Sequence, residues 1–135
     1  MMFLDANVTL RYLTRDDPEK AERCKEFLQK ADRGQVELIT TESIIPEVVY
    51  VLSSPRLYAL TRGRIRSLLL PILTLRGLKL PSRARYLRAL EIYATHQIDF
   101  EDALAVAYME RRRIAEILSY DRHFDRVEGI ERREP

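Results

Sequence analysis

Acidic residues beside apolar segments are the candidates for chemistry in this sequence. Asp102 stands near a predicted helix start among small and apolar residues, and Asp121 follows a short apolar run predicted as a strand. Asp5 follows the first apolar run, and Glu47 lies near the start of another predicted helix. A carboxylate in apolar surroundings is unfavourable unless a cation or hydrogen bonds compensate its charge. We therefore expect these four carboxylates to share a cation.

The available side chains limit which cation that is. Carboxylates held close together repel one another, and some take up protons unless a cation screens them. One cysteine and two histidines do not provide an ordinary zinc site, so oxygen ligands remain. Mg²⁺ and Mn²⁺ prefer such ligands, lower the pKa of a bound water and neutralise charge on a phosphoryl group. The pattern favours metal-assisted hydrolysis of a phosphodiester.

Arginine clusters are the candidates for holding a polyanion. The net charge is only +2, so charge alone does not indicate nucleic acid. Basic residues nevertheless group along the chain, at Arg62, Arg64 and Arg66, at Arg76, Lys79, Arg83, Arg85 and Arg88, and at Arg111, Arg112 and Arg113. Contacts to phosphates would give affinity with little sequence readout. For each cluster, a solvated helix face is the alternative.

Alternating strand and helix patterns must position the acids. Strands are predicted at residues 2–4, 36–39, 78–80 and 114–119, with a short edge strand near 130–132. Helices are predicted at 7–13, 18–31, 44–52, 61–73 (ending around Pro71), 83–95 and 100–112. This alternation predicts an α/β fold with a mostly parallel sheet of four to five strands. Ligands bind at the carboxyl ends of such strands, where all four acids are expected.

Helix-capping residues give the local predictions. Asp17 is expected to cap a helix whose first residue is Pro18. Further N-cap candidates are the four residues 40–43, which include Ser43, and Ser82. Asp99 is better placed as a cap than as a ligand. Glu47 is expected on a largely apolar helix face.

Two polar residues near Asp121 are expected to stand outside the chemistry. His123 is predicted to be exposed and incidental, although contact with substrate stays open. Asp125 is expected to be a surface acid paired with Arg122 or Arg126.

Bulk composition indicates one globular domain over residues 1–135. Apolar residues make up 46% of the chain and charged residues 33%, which is ordinary for a folded protein. No apolar run approaches the ~20 residues of a membrane span, and Asp5 comes too early for a secretory signal. The single cysteine, Cys24, fits a reducing cytoplasm.

The acids lie in segments that together resemble the PIN-domain family. These segments are Asp-Ala-Asn at 5–7, Ser-Ile-Ile-Pro-Glu-Val-Val-Tyr-Val-Leu at 43–52, Phe-Glu-Asp-Ala-Leu-Ala-Val-Ala at 100–107 and Ser-Tyr-Asp-Arg-His-Phe-Asp at 119–125. Their order and spacing are most similar to the VapC-type ribonuclease toxins of toxin–antitoxin pairs. The resemblance covers essentially the whole chain, although residues 61–95 match only in general helical character.

The resemblance implies a fold, an activity and roles for individual residues. It implies a three-layer α/β/α fold, Mg²⁺- or Mn²⁺-dependent endoribonuclease activity, homodimerisation and neutralisation by a cognate antitoxin protein. By position, the family's acidic quartet corresponds to Asp5, Glu47, Asp102 and Asp121. Asn7 and Ser119 match the polar positions that support the first and last acids, and Asp99 is an additional acid nearby.

Two other functions remain open from the sequence. Asp5 and Asn7 resemble the strand-terminal motif of haloacid-dehalogenase-like phosphatases, but Asn7 replaces the second acid and Lys79 is a poor partner lysine. A non-catalytic PIN-like module that only binds RNA or protein is the second alternative. The amphipathic helix around Ile65, Leu68, Leu69 and Ile72 could serve a dimer interface or the core.

Overall fold

Strands and helices alternate along the chain, as the sequence predicts. The computed structural model describes all residues, Met1–Pro135, as six α-helices, five β-strands and one 3₁₀ turn. They divide into two compact units, Met1–Pro81 and Ser82–Pro135. None of the helices has the length and apolar character needed to cross a membrane.

A parallel three-stranded sheet organises the first unit. Its elements are β1 (Met2–Phe3), α1 (Ala6–Thr14), α2 (Pro18–Asp32), β2 (Leu38–Ile39), α3 (Ile44–Ser53), α4 (Arg62–Leu73) and β3 (Leu78–Lys79). The strand order is β1-β2-β3, with Met2 opposite Leu38 and Leu38 opposite Leu78. Parallel pairing brings the carboxyl ends of β1 and β2 to one edge.

A close backbone approach fixes the entry to β3. The N–H of Gly77 donates to the Ala31 carbonyl at 2.9 Å, and the Gly77 carbonyl accepts the N–H of Leu38 at 2.8 Å. A Cβ at position 77 would lie 2.4 Å from the carbonyl oxygen of Val36. Only glycine therefore permits this junction of α2, β2 and β3.

Helix α4 continues past the predicted end at Pro71. The helix reaches Leu73, and the N–H and hydroxyl of Thr74 both donate to the Leu70 carbonyl, at 3.2 Å and 2.8 Å. Pro71 removes only its own N–H from the helix, and the turn beyond it still closes through these bonds. Ile65 and Leu69 on this helix are fully buried, which assigns its apolar face to the core.

Two packed helices and a parallel strand pair form the second unit. Its elements are α5 (Arg83–His96), α6 (Phe100–Arg112), β4 (Glu116–Leu118), the 3₁₀ turn Arg122–Arg126 and β5 (Glu131–Arg133). Strands β4 and β5 pair in parallel, with Ile117 opposite Arg132. The rings of Tyr93 and Phe100 meet edge to face at 5.9 Å, which fixes the start of α6 against α5.

The predicted α/β class and parallel strand pairing are confirmed. The five strands are hydrogen-bonded as one group of three and one group of two. Most strands are shorter than the predicted runs, although hydrogen bonds continue beyond them, such as that from the N–H of Leu4 to the Ile39 carbonyl at 2.7 Å.

Candidate metal centre

Helix α6 carries Asp102 in its first turn. Asp102 lies between the exposed Glu101 and the buried Ala103, and its own side chain is partly buried at the rim of the packed face. It accepts no hydrogen bond and forms no ion pair. Burial, and next the negative charges of Asp121 and Asp99, raise the pKa of Asp102 above its ordinary value.

The turn after β4 positions Asp121. The Ser119 hydroxyl accepts the backbone N–H of Asp121 at 2.9 Å, and Oδ1 of Asp121 accepts the N–H of His123 at 2.9 Å. Asp121 is thus the N-cap of the 3₁₀ turn. Because only Oδ1 serves as the cap, the second carboxylate oxygen remains available to another group.

Three potential ligands come together from these two elements. One ligand atom each from Asp102, Asp121 and His123 lie within 4.8 Å of one another. Nδ1 of His123 is buried 3.0 Å from Oδ1 of Asp121, off the axis of a hydrogen bond. His123 therefore lies beside both carboxylates, a proximity that the sequence did not predict. Its position two residues after a capping acid was the available signal.

The donor set fits a divalent cation. An unpartnered, desolvated carboxylate beside a second carboxylate is unfavourable without a positive charge. Two carboxylates suit Mg²⁺ or Mn²⁺, and an imidazole extends the range toward later transition metals. Asp102 and Asp121 would hold the ion, with His123 as the third ligand.

The other two predicted acids belong to the first unit. Asp5 is separated from the end of β1 by one residue and lies at the N-cap of α1, where its side chain makes no capping bond. Two hydrogen bonds hold the backbone of the preceding residue, Leu4. Its N–H donates to the Ile39 carbonyl at 2.7 Å, and its carbonyl accepts the Thr40 hydroxyl at 3.1 Å. Thr40 is thus a buried link between strand ends and not a helix cap.

Glu47 occupies the first turn of α3, as predicted, but its surroundings differ from the expectation. The side chain is exposed, and its helical neighbours Ser43 and Tyr50 are exposed as well. The apolar face of α3 is formed by other residues, including Val48 and Val49. Glu47 is therefore available to solvent and to ligands.

Nearly the whole sequence matches one known protein family. The profile of the PIN domain family matches residues 2–130. The chain belongs to the PIN domain family. No protein of curated function has a significant sequence match. The family match and the mixed α/β architecture agree with the fold predicted from the sequence.

Other polar residues of this PIN domain take positions that the sequence only partly indicates. Asn7 is exposed on the first turn of α1. Asp99 occupies the N-cap of α6, but its side chain accepts no capping bond, and the same holds for Ser43 and Ser82 at their helices. Helix position alone does not establish a capping bond.

Asp125 departs from its predicted pairing. It binds Arg132 through two contacts, at 3.1 Å and 3.3 Å, and neither Arg122 nor Arg126 is its partner. The reason is the pairing of β4 with β5, which carries Arg132 back toward the 3₁₀ turn. This pair leaves Asp125 outside the metal-ligand cluster.

Proposed function

We propose that this PIN domain is a Mg²⁺- or Mn²⁺-dependent endoribonuclease that hydrolyses phosphodiester bonds in RNA. The observation that carries the proposal is the grouping of Asp102, Asp121 and His123 within 4.8 Å, with no other partner for Asp102. Members of this family are generally metal-dependent nucleases, and a hard cation is what this donor set accommodates.

Each residue of the site has a distinct proposed role. Asp102 and Asp121 hold the cation, which supplies an acidified water and neutralises charge on the phosphoryl group when bound. Ser119 fixes the backbone of Asp121 through its 2.9 Å contact, so that the free carboxylate oxygen keeps its direction. Asp99 adds negative charge near Asp102, which strengthens cation binding.

Asp5 and Glu47 complete the proposed acidic quartet. Both belong to the carboxyl edge of the parallel sheet of the first unit, one after β1 and the other at the start of the helix after β2. We assign Glu47 to orienting a water or a second ion, Asp5 to metal ligation and Asn7 to support of Asp5.

Cleavage of RNA by the purified chain tests the proposal. We expect cleavage with Mg²⁺ or Mn²⁺, loss of cleavage with EDTA, and loss of at least about a hundredfold in Asp102→Asn and Asp121→Asn. Glu128→Gln is the matched control, because it removes an exposed acid outside the cluster. Undiminished cleavage in EDTA or in Asp102→Asn would contradict the mechanism.

The assignment of the first-unit acids is tested separately. Asp5→Asn and Glu47→Gln are expected to lose activity to a similar degree, whereas Glu19→Gln, an exposed acid paired with Arg23, retains it. Calorimetric titration with Mn²⁺ accompanies the assay. A folded wild type that binds no Mg²⁺ or Mn²⁺ would instead identify a non-catalytic RNA- or protein-binding module.

We further propose that the protein is the VapC-type toxin of a type II toxin–antitoxin pair, acting in the cytoplasm as a homodimer. The support is the resemblance of the acidic segments to those toxins. Induced expression is expected to arrest growth for wild type but not for Asp102→Asn. The product of a neighbouring small reading frame is expected to restore growth and to co-purify with the toxin. Sedimentation of the purified chain tests the dimer.

A further inference from the structure

Arg132 is a charged residue whose side chain is mostly buried in the second unit. Its side chain is 12% exposed, whereas that of the adjacent Arg133 is 70% exposed. Arg132 occupies the middle of β5, and side chains alternate along a strand, so the two arginines lie on opposite faces. The PIN-domain profile ends at residue 130, so Arg132 lies outside the matched region. The family match therefore gives this arginine no role.

The guanidinium of Arg132 has three hydrogen-bonding partners. Nε and Nη2 donate to the two carboxylate oxygens of Asp125, at 3.1 Å and 3.3 Å. Nη1 donates to the Ser119 carbonyl at 3.1 Å and to a carboxylate oxygen of Glu134 at 2.8 Å. The planar guanidinium can serve acceptors on several sides at once, which the single ammonium of a lysine cannot do in the same geometry. None of these partners is a proposed metal ligand.

Two of the partners stand at opposite ends of one segment. We call residues 119–125 the ligand loop, because it carries two of the three proposed metal ligands of the cluster. The Arg132 side chain joins the first residue of this loop, Ser119, to its last residue, Asp125. The Ser119 N–H also donates to a backbone carbonyl of β5 at 2.9 Å. Strand β5 therefore holds the ligand loop by its backbone at one end and by Arg132 at both ends.

This closure of the ligand loop has a consequence for metal binding. A chain segment loses conformational entropy when it is fixed in one geometry. Because the contacts of Arg132 fix the loop when the protein folds, an incoming ion does not have to order it, which favours binding. Residues that orient metal ligands without touching the ion commonly change metal affinity about tenfold or more.

The charge of Arg132 works against a direct electrostatic role. A positive charge near a cation site weakens binding of the cation. Asp125 and Glu134 each form an ion pair with Arg132 and offset its charge. A positioning role and a purely electrostatic role therefore predict changes of opposite sign in metal affinity when the charge of Arg132 is removed.

We propose that Arg132 is a positioning residue that holds the ligand loop in its metal-binding geometry. The identity of the bound ion rests on the proposed function, whereas the ordering of the loop rests on the contacts of Arg132 itself. Two measurements separate these parts, one made with metal and one made without it.

Calorimetric titration of the purified chain with Mn²⁺ measures the effect on metal affinity. Arg132→Gln is expected to weaken Mn²⁺ binding about tenfold, although it removes a positive charge. Arg133→Gln is the matched control, because it removes the same charge from the next residue of β5, whose side chain binds Glu116 at 3.0 Å. It is expected to stay close to wild type. Arg132→Lys keeps the charge without the planar fork and is expected to fall between the two. Equal or tighter binding in Arg132→Gln would overturn the inference.

Amide hydrogen exchange in EDTA measures the order of the ligand loop without any metal. The N–H groups of Asp121 and His123 are hydrogen-bonded within the loop, each at 2.9 Å. Their exchange is expected to become about tenfold faster in Arg132→Gln and to stay unchanged in Arg133→Gln. The amide of the buried Val106 in α6 is the reference for opening of the whole unit. Equal acceleration at Val106 would show that Arg132 only stabilises the fold, which would contradict a positioning role.

A second variant approaches the same contact from its other side. Asp125→Asn keeps the shape of the side chain but removes the charge that Arg132 binds, and is expected to accelerate exchange at Asp121 and His123 as well. Circular dichroism checks that each variant is folded, and Asp125→Asn carries the test where Arg132→Gln is not. Unchanged exchange in the folded variants would overturn the inference.

Failure of this inference can be distinguished from failure of the proposed function. Faster loop exchange in Arg132→Gln, in a protein that neither binds Mn²⁺ nor cleaves RNA, would support loop ordering by Arg132 and contradict the nuclease proposal. Metal-dependent cleavage by the wild type, with unchanged exchange and Mn²⁺ affinity in Arg132→Gln, would support the nuclease and remove Arg132 from its metal centre.

Discussion

Nδ1 of His123 lies 3.0 Å from Oδ1 of Asp121, the same oxygen that accepts the backbone N–H of His123. The 3₁₀ turn therefore presents the imidazole and the carboxylate as one unit. Their side chains are 45% and 41% exposed, so both remain accessible to an ion. A neutral imidazole beside carboxylates is a common metal-binding arrangement, and it distinguishes this site from one built only from acids.

His123 is expected to bias the site toward Mn²⁺. Imidazole suits Mn²⁺ and later metals better than it suits Mg²⁺, which prefers oxygen ligands. His123→Ala is expected to weaken Mn²⁺ binding about tenfold in calorimetric titration, with a smaller effect on Mg²⁺. His96→Ala is the matched control, since His96 lies outside the cluster and shares a hydrogen bond with Thr95. Equal losses for both metals, or none in His123→Ala, would remove His123 from the ligand set.

Asp102 is expected to destabilise the metal-free protein at neutral pH. Its pKa is raised in the folded state, first by burial and then by Asp121 and Asp99, so folding becomes less favourable as this carboxyl ionises. Asp102→Asn is expected to raise the free energy of unfolding by up to about 1 kcal/mol at pH 7, after allowance for solvent screening. The difference from wild type is expected to disappear as the pH falls below the unfolded pKa of about 3.9.

A bound cation is expected to reverse that order of stability. At a hundredfold excess of Mn²⁺ over its dissociation constant, the wild type is expected to gain about 2.7 kcal/mol, whereas Asp102→Asn gains little. Urea unfolding with and without Mn²⁺ measures both effects. Glu128→Gln is expected to follow the wild type throughout, and an equal gain in Asp102→Asn would place the ion elsewhere.

The sequence identifies most elements because their signals are local. The apolar runs before Asp5 and Asp121 are strands, and Asp17 caps α2 by accepting the N–H of Lys20 at 3.1 Å, as predicted. Ser43 and Ser82 satisfy the same local rule without making a capping bond. Propensity for a cap fixes where a helix begins, whereas the rotamer that completes the bond depends on neighbours that the local sequence does not specify.

Long-range contacts account for what the sequence leaves out. Asp125 pairs with Arg132 only because β4 and β5 are adjacent, and Thr40 reaches Leu4 across 36 positions of the chain. The proximity of His123 to Asp102 likewise depends on the packing of α6 near the 3₁₀ turn. A sequence pattern can place an acid at a strand end, but it does not reveal which other residues approach it.

Thr40 is expected to be more important for stability than its neighbour Thr41. The Thr40 hydroxyl is 1% exposed and donates to the carbonyl of Leu4, the residue before Asp5. Thr40→Val keeps the shape but removes the donor, and is expected to cost about 1–3 kcal/mol in urea unfolding. Exposed Thr41→Val is expected to stay within about 0.5 kcal/mol. Because Asp5 is proposed as a ligand, Thr40→Val is also expected to lose RNA cleavage under conditions in which it is fully folded.

The pair of Arg88 and Glu110 is expected to give stability that depends on pH. The pKa of Glu110 is lowered first by its hydrogen bonds to Arg88, so this stabilisation is present above the unfolded pKa of about 4.3 and is lost as the pH falls through the lower folded value. Because the side chains are 50% and 37% exposed, Arg88→Gln is expected to cost no more than about 1 kcal/mol at pH 7. Urea unfolding between neutral and acidic pH is expected to show this difference shrinking as Glu110 is protonated.

The more exposed pair of Arg23 with Glu19 provides the control, and Arg23→Gln is expected to change stability by less than about 0.5 kcal/mol at any pH. A difference for Arg88→Gln that stays constant down to acidic pH would show that Arg88 acts by packing and not by its charge.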